Sequence, residues 1–241
     1  MTPINPARLS PLVGDLFPAT VVAAQMCEPG DAALLLPGER EAIAHAVPKR
    51  IQEFTAGRLC ARRALAEFGI RDFALRMGAD RQPVWPEGFA GSITHTDAWC
   101  VAVVADQTAF MGVGVDSEVV GRVGPCVLPR ICTTAESEWL KGLAPAEHDR
   151  ALTLVFAAKE AFYKAQYPST RERLSFRDVA IEASDWGGSR GAFLVRPLRC
   201  IALEPLVSGG FPGRYEFHDE FVSAGVGLPA SGRAPDARHD Q

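Results

Sequence analysis

The chain has 241 residues, of which 47% are hydrophobic, enough for one large domain or two small ones. Its net charge of -4 argues against general affinity for nucleic acid. No apolar run approaches the roughly 18 residues of a membrane span, and the N-terminus, with Thr2, Pro3, Asn5 and Pro6, lacks the basic-then-apolar pattern of a secretory signal. The six cysteines, Cys27, Cys60, Cys100, Cys126, Cys132 and Cys200, form no C-x-x-C pair and no zinc-finger spacing with histidine. Reduced, largely buried thiols in a cytoplasmic protein are expected.

Residues 1–19 are punctuated by proline and are expected to wrap the surface, followed by a strand from Thr20 to Ala24 and a short helix over 38–46. From Pro48 to Phe68 the apolar residues Ile51, Phe54, Ala61, Leu65 and Phe68 recur at helical steps, and Gly69 ends the segment. Lys49, Arg50, Arg58, Arg62 and Arg63 lie on it. Arg50 and Arg58 fall close to one face, about 12 Å apart along the axis. Two readings stand: a solvated basic face paired with Glu53 and Glu67, or guanidinium groups set to meet phosphate.

Residues 70–90 carry Gly78, Asp80, Pro83, Pro86 and Gly88 and read as a loop. One strand begins at Gly91-Ser92-Ile93-Thr94-His95-Thr96, and Trp99 to Ala105 continues as another. His95, among hydroxyl residues, is either structural or a phosphate donor. A third strand, from Phe110 to Val115, delivers Gly112-Val113-Gly114-Val115-Asp116-Ser117-Glu118. In extended backbone, side chains at i and i+2 point the same way, so Asp116 and Glu118 can converge. Two converging carboxylates repel unless a cation lies between them, and their oxygens suit Mg2+ or Mn2+. A solvated strand end is the plainer alternative.

Residues 119–133 read as a loop with a short helix, and Thr134 as the cap of a helix through Leu140. A long helix is expected from Glu147 to Tyr167, stopped by Pro168, with Ala151, Leu154, Val155, Ala158, Ala161, Phe162 and Ala165 as its apolar stripe. Glu160 and Lys164 lie off the stripe at i, i+4. They are either an exposed ion pair worth about 0.2–0.5 kcal/mol or working groups. Phe156 shares the face of Glu160, which implies that something covers that face. Strand-like runs follow at 174–183, 192–198 and 213–223, and residues 229–241 are expected to form a disordered tail.

The inventory of paired carboxylates, a helical glutamate and lysine, arginines and a histidine among hydroxyls suits a Mg2+-bridged pyrophosphate. Four segments carry a specific resemblance. They are Lys49-Arg50-Ile51-Gln52-Glu53-Phe54 with Gly57-Arg58 and Cys60-Ala61-Arg62, and Asp80-Arg81-Gln82-Pro83-Val84-Trp85-Pro86 leading into Gly91-Ser92-Ile93-Thr94-His95. The others are Gly112 to Glu118, and Phe156-Ala157-Ala158-Lys159-Glu160-Ala161-Phe162-Tyr163-Lys164-Ala165. In this order, across roughly residues 45–180, the chain resembles the 4'-phosphopantetheinyl transferases of the enterobactin/surfactin branch. It departs from the commonest branch pattern by Phe156 for tryptophan and Arg81-Gln82-Pro83 for Gly-Lys-Pro.

The resemblance implies an α+β fold of two similar halves with the active site between them, here residues 1–115 and 116–228. It implies transfer of 4'-phosphopantetheine from coenzyme A to a serine of an apo acyl or peptidyl carrier protein, with release of adenosine 3',5'-bisphosphate. Glu160, Lys164 and Asp116 would be catalytic, with Asp116, Ser117, Glu118 and Glu160 around Mg2+ or Mn2+. Arg50, Arg58, Thr94, His95 and Lys164 would meet the phosphates of coenzyme A, with Lys159 a further candidate. Met77, Gly78, Ala79, Asp80 and Arg81 would border the adenine, and Leu174 would flank the coenzyme. The resemblance also implies an acidic carrier, which the overall charge of -4 does not attract, so a local patch is needed; Arg122 and Arg130, with Val119, Val120, Val123, Val127 and Leu128 just after the third strand, are our candidate for docking the carrier helix. A monomer, with no nucleic-acid or membrane partner, is expected. A Mg2+-dependent nucleotide hydrolase and a homologue without chemistry are the other readings.

Overall fold

The computed structural model describes residues 12–184, 186–203 and 209–230. Helix α1 (Pro48–Ala66) opens on a proline, whose missing N–H would have had no partner in the first turn. Just beyond its end, Gly69 sits at φ +80° and Ile70 donates its N–H back to Leu65 O. This helix lies on an antiparallel sheet of β1 (Val21–Met26), β2 (Phe89–His95) and β3 (Cys100–Asp106), in the order β1-β3-β2. The central strand is buried on both sides. Cys100, Ala102 and Val104 meet α1, while Val101, Val103 and Ala105 meet β4 and the segment carrying Val13, Leu16 and Phe17.

A second antiparallel sheet has the order β4-β8-β7-β6-β5. Its strands are β4 (Phe110–Val119), β5 (Val179–Ser184), β6 (Arg190–Pro197), β7 (Phe211–His218) and β8 (Phe221–Pro229). Two short helices, α2 (Leu128–Ile131) and α3 (Thr134–Lys141), precede α4 (His148–Thr170), which crosses the sheet. The apolar stripe of α4 is fully buried against it. The approach of α4 to β4 requires glycine. A Cβ added at Gly114 would lie 1.8 Å from Ala161 O, and one at Gly112 would lie 2.2 Å from Ala165 O. Each unit is therefore one long helix on an antiparallel sheet, an α+β arrangement, with three strands in the first and five in the second.

Several expectations are corrected. Of the segment 1–19 expected to wrap the surface, residues 1–11 lie outside the described residues, and Val13, Leu16 and Phe17 are buried between the sheets. Thr133, not Thr134, caps α3, in a reciprocal box with Glu136. Pro168 lies inside α4, which runs to Thr170 before Arg171 turns at φ +58°. The last turn tolerates proline because side chains hold it: Ser169 Oγ donates to Met111 O, and Gln166 Nε2 to Glu172 O. The run 213–223 is a hairpin of two strands, turning at Asp219 with φ +50°. Pro229 still belongs to β8, and 231–241 lie outside the described residues. The division expected between 115 and 116 falls within β4, which pairs with β8 on both sides of it.

Candidate active site

The two units meet where the edge strand β4 runs beside β2. Side chains of β2 take the place of a backbone ladder. Ser92 Oγ accepts the Val115 N–H at 3.1 Å, and Thr94 Oγ1 accepts the Ser117 N–H at 3.0 Å. Hydroxyls suit this work because each both accepts and donates. Thr94 Oγ1 then donates to Asp116 Oδ1 at 3.1 Å. The same oxygen receives Lys164 Nζ from α4 at 2.6 Å. Lys164 also reaches Val115 O at 3.2 Å and Ile93 O at 3.4 Å, so one ammonium joins both units. Lys164 thus pairs with Asp116 rather than closing the i, i+4 bridge to Glu160.

Asp116 is only 5% exposed, and its Oδ2 is buried without a hydrogen-bond partner. Around it the carboxyl groups are loaded with unfavourable charge. Burial, and then the charge of Asp116, push Glu118 up to about 7. Burial raises Glu160 too, and Asp116 adds to the rise against the opposing pull of Lys164. Among the described residues, no three His, Cys, Asp or Glu side chains already converge closely enough to hold an ion. The expected set of Asp116, Ser117, Glu118 and Glu160 is therefore not a ready-made cage. Ser117 faces the other side of β4, with its Oγ 2.8 Å from Ser223 Oγ. A hard divalent ion nevertheless fits the donors. It needs only one or two protein carboxylates when phosphate and water complete the shell, and the orphaned Asp116 Oδ2 beside repelling carboxylates is the place for positive charge.

A cleft of about 570 Å3 opens from Glu160 and Lys164. Its walls include Trp85, Ile93, Tyr163, Tyr167 and Pro168, and its facing lip is Ala79, Asp80, Arg81 and Gln82. The lip is a closed turn: Met77 bridges Pro83, Gly78 N donates to Gln82 O at 2.8 Å, and Arg81 sits at φ +63°. Tyr163 and Tyr167 stack with centroids 5.3 Å apart. Trp85 covers Gly91, where a Cβ would lie 2.5 Å from the indole. Arg173 crosses the mouth to Asp80 at 3.3 Å. Sequence reasoning missed Tyr167 and Arg173 as site residues, and gave Trp85, Ser92 and Tyr163, which stand within the quoted motifs, no role of their own. The tyrosines had a signal, since they lie three and seven residues after Glu160 and so share its helical face.

At the other end of the site, Arg50 Nη1 lies 3.3 Å from His95 Nε2 and 3.5 Å from Glu53. Burial holds His95 below its ordinary range, so its imidazole is more readily neutral. The structure thus brings together Arg50, Thr94, His95, Asp116 and Lys164, with Glu118 and Glu160 near and Ala79, Asp80 and Arg81 on the lip. It does not bring Arg58, Met77 or Leu174 into the cleft. Arg58 is buried over the Phe54 ring at 3.6 Å and donates to Leu75 O, and burial pulls it down to about 10. Met77 packs with Leu35, Ile43 and Phe54, and Leu174 packs on the core of the second unit. Gly78 serves the turn itself. Lys159 is no phosphate contact here. Its ammonium is 1% exposed and donates to Glu136 Oε2 at 2.7 Å and to Ile131 O and Phe176 O, both at 2.8 Å. All three of its protons are used. Phe156 finds its cover in Phe176, stacked at 5.3 Å.

A carboxylate set suited to a hard cation, an ammonium against it and a cleft with basic rims lie together between two α+β units. The family model described as "4'-phosphopantetheinyl transferase N-terminal domain" matches residues 38–105, and that of the "4'-phosphopantetheinyl transferase superfamily" matches residues 112–209. The chain is 34% identical over 224 residues to 4'-phosphopantetheinyl transferase Npt of Nocardia iowensis, covering 89% of this chain and 99% of that one. It is 36% identical over 205 residues to 4'-phosphopantetheinyl transferase Svp of Streptomyces mobaraensis, covering 82% and 80%. It is also 38% identical over 118 residues to enterobactin synthase component D of Salmonella typhimurium, covering 48% of each. The chain belongs to the 4'-phosphopantetheinyl transferase family.

Proposed function

We infer that the chain transfers the 4'-phosphopantetheine group of coenzyme A to a serine of an apo acyl or peptidyl carrier protein. The serine Oγ forms a bond to the phosphorus that carries pantetheine, and the bond from that phosphorus to the bridging oxygen breaks. Adenosine 3',5'-bisphosphate leaves with the electron pair. Family membership supports the reaction class. The observation that carries the placement of the site is the Lys164–Asp116 pair, which bridges the two units and leaves Asp116 Oδ2 unpartnered beside the cleft.

Asp116, Glu118 and Glu160 would hold Mg2+ or Mn2+. A bound ion of this kind neutralises charge that grows on the diphosphate oxygens. Lys164, held by Asp116, stands ready to stabilise the departing phosphate. Arg50, 3.3 Å from His95, and His95 itself would meet the phosphates of the adenosine end, and Arg81 offers a further charge on the lip. Glu160 has its pKa raised by burial, which makes it a better proton acceptor for the serine hydroxyl. Holding the ion and taking the proton compete, since a metal-bound carboxylate is the poorer base.

Both lips of the cleft come from one chain, which supports action as a monomer. No helix among the described residues is long and apolar enough to cross a membrane. All six cysteines are free, which suits a reducing, cytoplasmic setting, but only Cys60, Cys100 and Cys132 are buried as expected, while Cys27, Cys126 and Cys200 are exposed. The stretch after β4 would dock the carrier through Arg122 and Arg130. Val123 and Ile131 turn inward to the core, and Arg122, 3.6 Å from Asp97, faces out. Incubation with coenzyme A, Mg2+ and an apo carrier tests the function. A carrier heavier by one phosphopantetheinyl group is expected. Coenzyme A cleaved with the carrier unchanged would make this a hydrolase instead.

A further inference from the structure

Glu39 stands just before a short 3-10 turn (Arg40–Ile43) and is fully buried. A buried carboxylate is costly unless it is paired and hydrogen-bonded, and both of its oxygens are engaged. Arg62 Nη1, from α1, donates to each of them at 2.8 Å. The Leu36 N–H donates to Oε2 and the Leu75 N–H to Oε1, both at 2.9 Å. Arg62 Nη2 also donates to Leu34 O at 2.7 Å, so this guanidinium is committed to the pair and not to phosphate. Leu75 gives the cluster its reach. It is fully buried yet belongs to no strand or helix, and side chains hold its backbone instead. Glu39 takes its N–H, and Arg58 Nε donates to its carbonyl at 3.2 Å. The residues that follow are the stem of the turn at the cleft mouth. Arg76 O accepts the Val84 N–H at 2.9 Å, Met77 bridges Pro83, and the cleft-lining residues Ala79 to Gln82 lie between.

We propose that Glu39 is a positioning residue, whose bond to the Leu75 N–H fixes the stem and thereby the place of the lip that faces Glu160 and Lys164. Its kinetic consequence rests on the reading of the cleft as the coenzyme site; the structural part does not. A buried N–H left unpaired costs about as much as a lost hydrogen bond, so without this acceptor the stem gives up an anchor and its segment opens more readily. Arg62 supplies the charge that lets a carboxylate remain buried here. The pair is not needed for strength alone, because well-packed apolar residues of similar volume often stabilise as well as a buried ion pair. The ion pair and the bond to Leu75 are therefore separable by substitution.

Two double variants of the full chain make the separation. Glu39→Met with Arg62→Met removes both the pair and the acceptor, whereas Glu39→Gln with Arg62→Met removes the charges and keeps an acceptor for Leu75. The readouts are backbone amide exchange over residues 76–84, taken against that of β8, and steady-state kinetics with coenzyme A and an apo carrier. In the first variant residues 76–84 should exchange about tenfold faster with β8 unchanged, and KM for coenzyme A should rise about tenfold with kcat little altered, the size of a single hydrogen bond. The second variant should return both to near the wild-type values. Equal losses in the two variants, or no loss in either, would overturn the proposal. One measurement stands independently of how the variants fold. In the wild type the Leu75 amide should exchange as slowly as the amides of β3, and rapid exchange there would overturn the proposal too. A wild-type chain that modifies no apo carrier would instead remove the functional reading, and the exchange measurements would still decide the role of Glu39.

Discussion

Asp116 shows why a carboxylate at a strand end is not a solvated ornament. It is buried, bonded on one oxygen by Thr94 and Lys164, and bare on the other. Asp116→Asn keeps the shape and removes the charge. It should abolish carrier modification and its dependence on divalent ion, while the loss of the ion pair to Lys164 lowers stability by about 1–3 kcal/mol. Activity and urea unfolding on the same preparation check both. Lys164 has structural duties as well as chemical ones, since it holds Ile93 O and Val115 O. Lys164→Met should therefore lower kcat more than it raises KM for coenzyme A, and should also lower Tm. Equal losses in kcat and affinity would leave it a binding residue. Glu118 gives a pH signature. Its pKa, ordinarily 4.5, stands at about 7 in the folded chain, so the folded state binds more protons between those values. Stability of the metal-free chain should then fall as pH rises through that window. Melting curves with a chelator should show the fall, and Glu118→Gln should flatten it.

At the scale of elements, the decisive feature is the closeness of α4 and β4. Gly114 and Gly112 admit the helix backbone, and that approach sets Lys164 against Asp116. Gly114→Ala would force the two apart, because its Cβ would overlap Ala161 O. A large drop in Tm together with loss of activity is the expected outcome, read by calorimetry and carrier mass. The Lys159–Glu136 pair ties α4 to the cap of α3, to Phe176 and, through Glu136 Oε1 and the Ile181 N–H, to β5. Lys159→Ala leaves Glu136 buried without its cation, and a loss of about 3–5 kcal/mol follows. Coenzyme affinity per folded molecule should change little, whereas a phosphate contact would lose it. Much of this was legible in the chain. The i, i+4 stripe of α4 fixes its buried face, whereas Gly112 to Ser117 of β4 are buried on both faces, which their alternation does not announce. The partner of Lys159 was not legible, since Glu136 is distant in sequence and periodicity names a face rather than a neighbour. The β7–β8 hairpin was hidden by a tight turn at Asp219 whose left-handed φ has no glycine to announce it.

For the whole molecule, one chain supplies both lips of the cleft, and the joint between its units is polar. Ser92 and Thr94 satisfy N–H groups of β4, while Lys164 spans the seam. No local pattern could foretell this, because hydroxyls on a strand read the same whether they meet water or another sheet. The order of the four motifs gave the family and the α+β class, whereas the three-and-five division of strands came only from the structure. Carrier docking belongs to this scale too. Reversing the charges of Arg122 and Arg130 should raise KM for an acidic carrier and spare that for coenzyme A; an unchanged carrier KM removes that surface from consideration. The central claim is that Asp116 on β4 and Glu160 on α4 serve one divalent ion on the coenzyme's diphosphate. Mn2+ binding in the presence of coenzyme A, followed by electron paramagnetic resonance, tests it most directly. One ion per chain is predicted for the wild type, lost in Asp116→Asn and weakened in Glu160→Gln. Unaltered Mn2+ binding in both variants would contradict the account.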